Sequence, residues 1–120
     1  MHEIGICESV LAAVERRAGD RPVAGITVRI GTMLRVVPEA FAQSFAMVAA
    51  GTIADGATPE LIIMPVQGSC DQCGDTFESS DHIPSCPSCG SIRVTRQGGD
   101  ELMLESIAYR ADQGAAAERS

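Results

Sequence analysis

Four cysteines fall in the pattern Cys70-x2-Cys73-x12-Cys86-x2-Cys89. Each Cys-x-x-Cys knuckle delivers two sulfurs to adjacent corners of a tetrahedron, and two knuckles fill all four corners. Four thiolates leave no open coordination position, so the pattern predicts a structural zinc ion and not a catalytic one. Rubredoxin-like iron also suits four thiolates. A thioredoxin-type redox pair is the rival, but the spacing comes in duplicate and without a βαβ context. Gly74, Gly90, Pro84 and Pro87 suit tight knuckle turns, and His82 reads as a loop residue between the knuckles. Phe77, Ile83 and Ile92 are the large apolar groups of this segment, too few for a core, so metal binding is expected to supply its folding energy.

A second possibility for metal chemistry sits at the other end of the chain. His2 follows Met1 directly. By itself such a residue reads as a solvated side chain ahead of a helix. The alternative is a chelate: the Met1 amine and the His2 amide nitrogen close one five-membered ring, and the imidazole closes a second. The Glu3 amide completes a four-nitrogen plane, which Ni(II) or Cu(II) prefers. Affinity at such a site falls on acidification, because the donors must be deprotonated. It also requires an unblocked amine. Cys7, about 140° further round a helix than His2, does not converge with it and reads as a small buried hydrophobe.

Composition narrows the classes of function. The chain has 120 residues, nine Lys+Arg against 16 Asp+Glu, a formal charge of −7, and 45% apolar residues. One modest core and a small satellite module fit this length. The acidic balance speaks against nucleic acid, since phosphate contacts need a basic face. Within the cysteine segment Asp71, Asp75, Glu78 and Asp81 outnumber Arg93 and Arg96. The longest apolar runs, 45–50 and 61–66, are six residues each, so no membrane span is expected. No signal peptide is read, and an odd cysteine count favours reduced thiols in a cytoplasmic protein. There is no P-loop, no Ser-His-Asp or Cys-His constellation and only two histidines, so no enzyme is expected.

The elements that must carry these residues follow from periodicity. Ile4, Cys7, Leu11, Val14 and Ala18 recur at helical spacing over 3–17, and Gly19, Asp20 and Pro22 stop the helix. Ile26, Val28 and Ile30 alternate as a half-buried strand closed by Gly31. Phe41, Phe45 and Val48 stripe a second helix over 36–51, with Pro38 in its first turn and Gly51 at its end. Leu61 to Met64 reads as a central strand limited by Pro65, and 101–109 as a third strand. The expected fold is α+β: two helices packed on a three-stranded sheet, with a four-cysteine zinc-ribbon-like arm inserted between the second and third strands. Glycine-bearing connections at Gly68 and at 98–99 would set the arm off as semi-independent. The domain reading is 1–67 plus 98–110 for the α/β domain, 68–97 for the zinc-binding domain, and a frayed tail over 111–120.

Met1-His2-Glu3 opening a helix, joined to this cysteine spacing, resembles the HypA/HybF family of hydrogenase nickel-incorporation proteins. Val37-Pro38-Glu39, Gly51-Thr52 with Asp55-Gly56-Ala57, the run from Cys86-Pro87-Ser88 to Cys89-Gly90-Ser91, and Gly99-Asp100-Glu101-Leu102 extend the resemblance over 1–109. Gly5 stands where a small polar residue is common and Gln43 where an aromatic is. The resemblance implies a nickel metallochaperone. His2 would be the nickel ligand, with the Met1 amine and backbone nitrogens of His2 and Glu3, and Cys70, Cys73, Cys86 and Cys89 would hold zinc. It implies delivery of nickel to the large-subunit precursor of a [NiFe]-hydrogenase, with a HypB-like GTPase partner and, in some members, service to urease. A homodimer is left open. The alternative is a zinc-ribbon adaptor or regulatory module without nickel chemistry, which would have no need of His2.

Overall fold

The computed structural model describes residues 2–80 and 85–111, with His2 described by its backbone alone. Met1, expected as a nickel co-ligand, His82, expected in a loop, and all but Ala111 of the expected tail lie outside the described residues. Elements run in the order α1 (His2–Ala18), β1 (Val23–Gly31), a 3-10 turn (Thr32–Leu34), α2 (Pro38–Ala49), β2 (Thr58–Met64), β3 (Val66–Cys70), β4 (Thr76–Ser79), β5 (Val94–Gln97) and β6 (Leu102–Tyr109). Among the described residues two sheets form, ordered β2-β1-β6 and β4-β3-β5. The second is the inserted arm, placed between β2 and β6 as the sequence predicts.

The chain divides into two compact units: 2–28, 36–61 and 103–111 in one, and 29–35, 62–80 and 85–102 in the other. In the first unit, Cys7, Val10, Leu11, Val14 and Ala18 form the buried stripe of α1, and Phe41, Phe45 and Ala49 that of α2. The two phenylalanine rings stack, with centroids 6.2 Å apart and planes 4° off parallel. Val23, Ile26 and Val28 of β1, Ala54 and Ala57 of the turn before β2, and Leu104 of β6 join this core. Gly19 ends α1 at φ +69°, and Gly51 follows α2 at φ +80°, conformations that carry no Cβ penalty for glycine. Pro38 opens α2, where the missing N–H costs no helical bond.

One expectation is corrected. The apolar run Leu61 to Met64 does not form a central strand: β1 is central and β2 lies at the edge. Ile62 and Ile63 accordingly remain 37% and 41% exposed. Periodicity reports burial on both faces only when something covers both, and an edge strand can carry the same residues.

In the second unit the arm builds its own small antiparallel sheet. Val66 pairs with Ser79, Gly68 with Phe77, and Ser69 with Thr76 on one side of β3, while Gly68 pairs with Arg96 and Cys70 with Val94 on the other. The glycines expected as slack connections serve close packing instead. Gly68 sits in mid-strand under the Phe77 ring. Gly99 is buried at φ +81° and accepts the Met33 N–H at 2.7 Å, while the Gly31 N–H donates to the Glu101 carbonyl at 2.8 Å.

Candidate metal centre

The two knuckles are built alike. The Cys70 carbonyl accepts the N–H of Gly74 at 3.0 Å, and the Cys86 carbonyl accepts that of Gly90 at 2.8 Å. Both glycines have positive φ, +84° and +79°, which lets the chain turn back immediately after the second cysteine. Further on, the Cys70 N–H donates to the Asp75 carbonyl and the Cys86 N–H to the Ser91 carbonyl, at 2.8 and 2.9 Å. The first knuckle grows directly from the end of β3, and the second leads into β5. The register Cys70↔Val94 then sets the two knuckles side by side.

The four Sγ atoms lie within 4.8 Å of one another. Cys70 and Cys89 approach to 3.6 Å, as do Cys73 and Cys86. This spacing suits four sulfurs around one ion bound at about 2.3 Å. The donor set is all thiolate, the choice of zinc and of iron–sulfur chemistry and not of a hard cation. The residues present therefore fit a structural zinc ion, with Cys70, Cys73, Cys86 and Cys89 as the holding groups.

The surroundings treat the four thiols unequally, lowering Cys70 and Cys86 and raising Cys73 and Cys89. Backbone N–H groups of Cys73 and Gln72 point at the Cys70 sulfur, at 3.4 and 3.3 Å, and hold its thiol down to about 7 against desolvation. The Cys86 thiol is likewise lowered, first by the N–H of Cys89 and also by that of Ser88, the latter at 3.4 Å. At Cys73 the Asp75 N–H pulls downward, but the Cys86 sulfur and burial push upward, and the thiol rises to about 12. Cys89 is also raised: the Ser91 N–H lowers it, outweighed by the Cys70 sulfur and desolvation. Each sulfur has at least one backbone N–H donor, and each knuckle has one buried and one exposed cysteine: Cys70 and Cys86 are buried, Cys73 and Cys89 exposed.

Cys7 belongs to the first unit and is not one of the four clustered sulfurs. It is fully buried in the α1 stripe, and its thiol faces the Phe41 carbonyl at 3.5 Å. Burial pushes it up to about 11, with the Glu3 charge adding to the shift. It is the small hydrophobe the sequence predicts. His2 is the first residue of α1, one position earlier than expected from periodicity. An open trough of about 490 Å3 lies along Gly25, Thr27, Thr58, Glu60 and Ser106 of the first unit. Among the described residues its lining offers one carboxylate, Glu60, and no thiol or imidazole.

Sequence reasoning missed two side-chain bonds around the sulfurs. The Thr95 hydroxyl donates to Asp71 at 3.0 Å, and the Ser88 hydroxyl donates to the Asp75 carboxylate. Serine and aspartate in a zinc loop are ordinary turn residues, and nothing in their spacing announces a bond across the site.

Helices on a small sheet, a separate strand-built arm and a clustered tetrathiolate define a two-unit α+β metalloprotein with a structural metal centre. The particular family follows from comparison. Residues 1–109 match the family described as "Hydrogenase/urease nickel incorporation, metallochaperone, hypA". The chain belongs to this HypA family. It is 40% identical to the hydrogenase maturation factor HypA of Methylocella silvestris and 38% identical to that of Dechloromonas aromatica, each over 110 residues covering 89% of this chain and 97% of the relative. The relative from Rhodobacter capsulatus is 34% identical over the same span. Its fold is similar to the solution structure of the nickel metallochaperone HypA from Helicobacter pylori, with a TM-score of 0.59, 21% identity, and coverage of 92% of this chain and 98% of that one.

Proposed function

We propose that this protein is a nickel metallochaperone of hydrogenase maturation. It binds Ni(II) at its N-terminus, keeps a structural zinc ion in the four-cysteine arm, and catalyses no reaction. The observation that carries the reading is the family match reaching back to residue 1, so that it includes Met1-His2-Glu3. The nickel ligand is the His2 imidazole, with the Met1 amine and the backbone nitrogens of His2 and Glu3. The position of His2 at the start of α1 supports this assignment. Amide groups in a helix's first turn lie outside the i→i−4 ladder, so metal ligation there breaks no helical bond. A terminal site also releases its cargo by stepwise ligand exchange more readily than a closed cage.

The labour is divided along the chain: nickel binding belongs to 1–67 plus 98–110, and zinc binding to 68–97. The recipient is the hydrogenase large-subunit precursor, in the cytoplasm. Nucleotide hydrolysis comes from a HypB-like GTPase partner, since the chain has no P-loop.

Nickel titration by calorimetry on zinc-loaded, tag-free protein at two pH values tests the reading. All nine basic residues are arginine, so the Met1 amine is the chain's sole primary amine and acylation can block it without touching a lysine. Stoichiometric binding, weaker at the lower pH, is expected in the unmodified chain. It should be lost in His2→Ala, in a form with one extra N-terminal residue, and after acylation. Equal binding in all four would move the site elsewhere. Absence of binding in every form would leave a zinc-ribbon adaptor.

A further inference from the structure

The two knuckles repeat one backbone pattern, and within each the two cysteines are not equivalent. Each has a buried cysteine, Cys70 and Cys86, and an exposed one, Cys73 and Cys89. A competing ligand must therefore approach from the Cys73 and Cys89 edge. At that edge stand Asp75, two residues beyond Cys73, and Ser88, one residue before Cys89. The Ser88 hydroxyl donates to the Asp75 carboxylate, a hydrogen bond running directly from one knuckle to the other. The Asp71 to Thr95 bond has a different place. It ties the first knuckle to β5, where the Cys70↔Val94 register already joins them.

We propose that Ser88 and Asp75 form a latch across the exposed edge of the tetrathiolate site and set how fast its metal leaves. Loss of the metal begins when one sulfur swings away and a chelator takes its place. Cys73 or Cys89 is the sulfur free to do so, because Cys70 and Cys86 are packed inside. For either to swing, the knuckles must part at their exposed edge, and that motion breaks the Ser88 to Asp75 bond. The two residues touch no metal; they position the groups that do. Outer-shell groups bonded directly to metal ligands change metal affinity by about 10- to 100-fold, and this latch, one step further out, is expected at the lower end of that range. The bond also accounts for a carboxylate tolerated beside four thiolates: a fixed donor holds the Asp75 charge in one place.

The inference rests on zinc as the resident of the site, and the experiment separates the two claims. Full-length chains are loaded with zinc, their zinc content is measured, and release to excess EDTA is followed with a chromogenic indicator. Ser88→Ala removes the donor without altering charge. Asp75→Asn keeps an acceptor oxygen, Asp75→Ala removes it, and the double variant Ser88→Ala/Asp75→Ala closes the cycle. The expected result is release about tenfold faster in each alanine variant. The double variant should be no faster than the singles, and Asp75→Asn should stay at or below the wild-type rate. Holo-protein melting midpoints should remain together, because both groups are exposed. One zinc per chain with an unchanged Ser88→Ala rate would overturn the latch and leave the zinc site standing. Additive effects in the double variant, or Asp75→Asn as fast as Asp75→Ala, would also overturn it. A chain that takes up no zinc would overturn both claims.

Discussion

Phe77 lays its ring across Gly68, its partner in the register between β4 and β3: a Cβ on Gly68 would stand 2.5 Å from Cζ and 2.6 Å from Cε2 of that ring. Glycine is therefore present at residue 68 for its missing side chain and not for backbone freedom. The ring covers a strand position that would otherwise expose bare backbone, a pairing that stabilises small sheets. It also explains how an arm with so few large apolar residues keeps a fixed shape. Ile92, the other described candidate from sequence, is 76% exposed and contributes no core.

Gly68→Ala should destabilise the zinc-loaded arm by about 1–3 kcal/mol, the usual cost of overpacking. Zinc competition with a calibrated chelator reads the loss. Phe77→Leu in the same chain should recover part of it, because a smaller side chain makes room for the methyl group. Unchanged zinc affinity in Gly68→Ala would mean that the ring is free to move aside.

A second close approach lies between Gly31 and Gly99. A Cβ on Gly31 would stand 2.1 Å from the Gly99 carbonyl carbon and oxygen and 2.4 Å from the Asp100 nitrogen. Those are backbone atoms, held by the Gly31 to Glu101 and Met33 to Gly99 hydrogen bonds. Gly31→Ala should cost about 3 kcal/mol or more, at the upper end of overpacking effects. Gly5→Ala is the control: nothing lies within 4 Å of its Cβ, and alanine in an exposed helical position should stabilise by about 1 kcal/mol. Urea unfolding of the zinc-loaded chain measures both.

Cys7 makes a prediction about pH. Its folded thiol sits at about 11 against an ordinary value of 9.0. The native state therefore holds its proton after the unfolded chain has lost it. This contribution is complete below pH 9 and is lost as pH rises from 9 to 11. Urea midpoints taken across that range should fall more steeply in the native sequence than in Cys7→Ala. At about pH 8, below both values, the zinc-loaded protein should show Cys7 unmodified by iodoacetamide until it is unfolded. Fast alkylation of Cys7 in the folded chain would contradict its burial.

The metal centre was legible in the sequence because its information is local. Two Cys-x-x-Cys loops, each followed by glycine, specify the same turn twice, and four thiolates have few other uses. The helices were legible for a similar reason: stripes such as Cys7, Leu11 and Val14 report a buried face whatever lies opposite.

Strand position and contacts at long range were not written locally. Leu61 to Met64 carries the residues of a central strand, yet the order β2-β1-β6 places it at an edge. Which strand lies in the middle depends on the partners the chain finds, and an apolar run fits either place. Gly31 and Gly99 read as a strand end and a loose connection, and became a backbone crossing with no room for a methyl group. Ser88 and Asp75, 13 residues apart, met because the two knuckles close on the same four sulfurs. The four clustered sulfurs, the helices and the order of elements could be read from the chain alone, since each depends on neighbours a few residues away. Which glycines are packed, which strand is central and which polar groups meet emerged on folding, since each depends on residues that approach only when the chain has closed on itself.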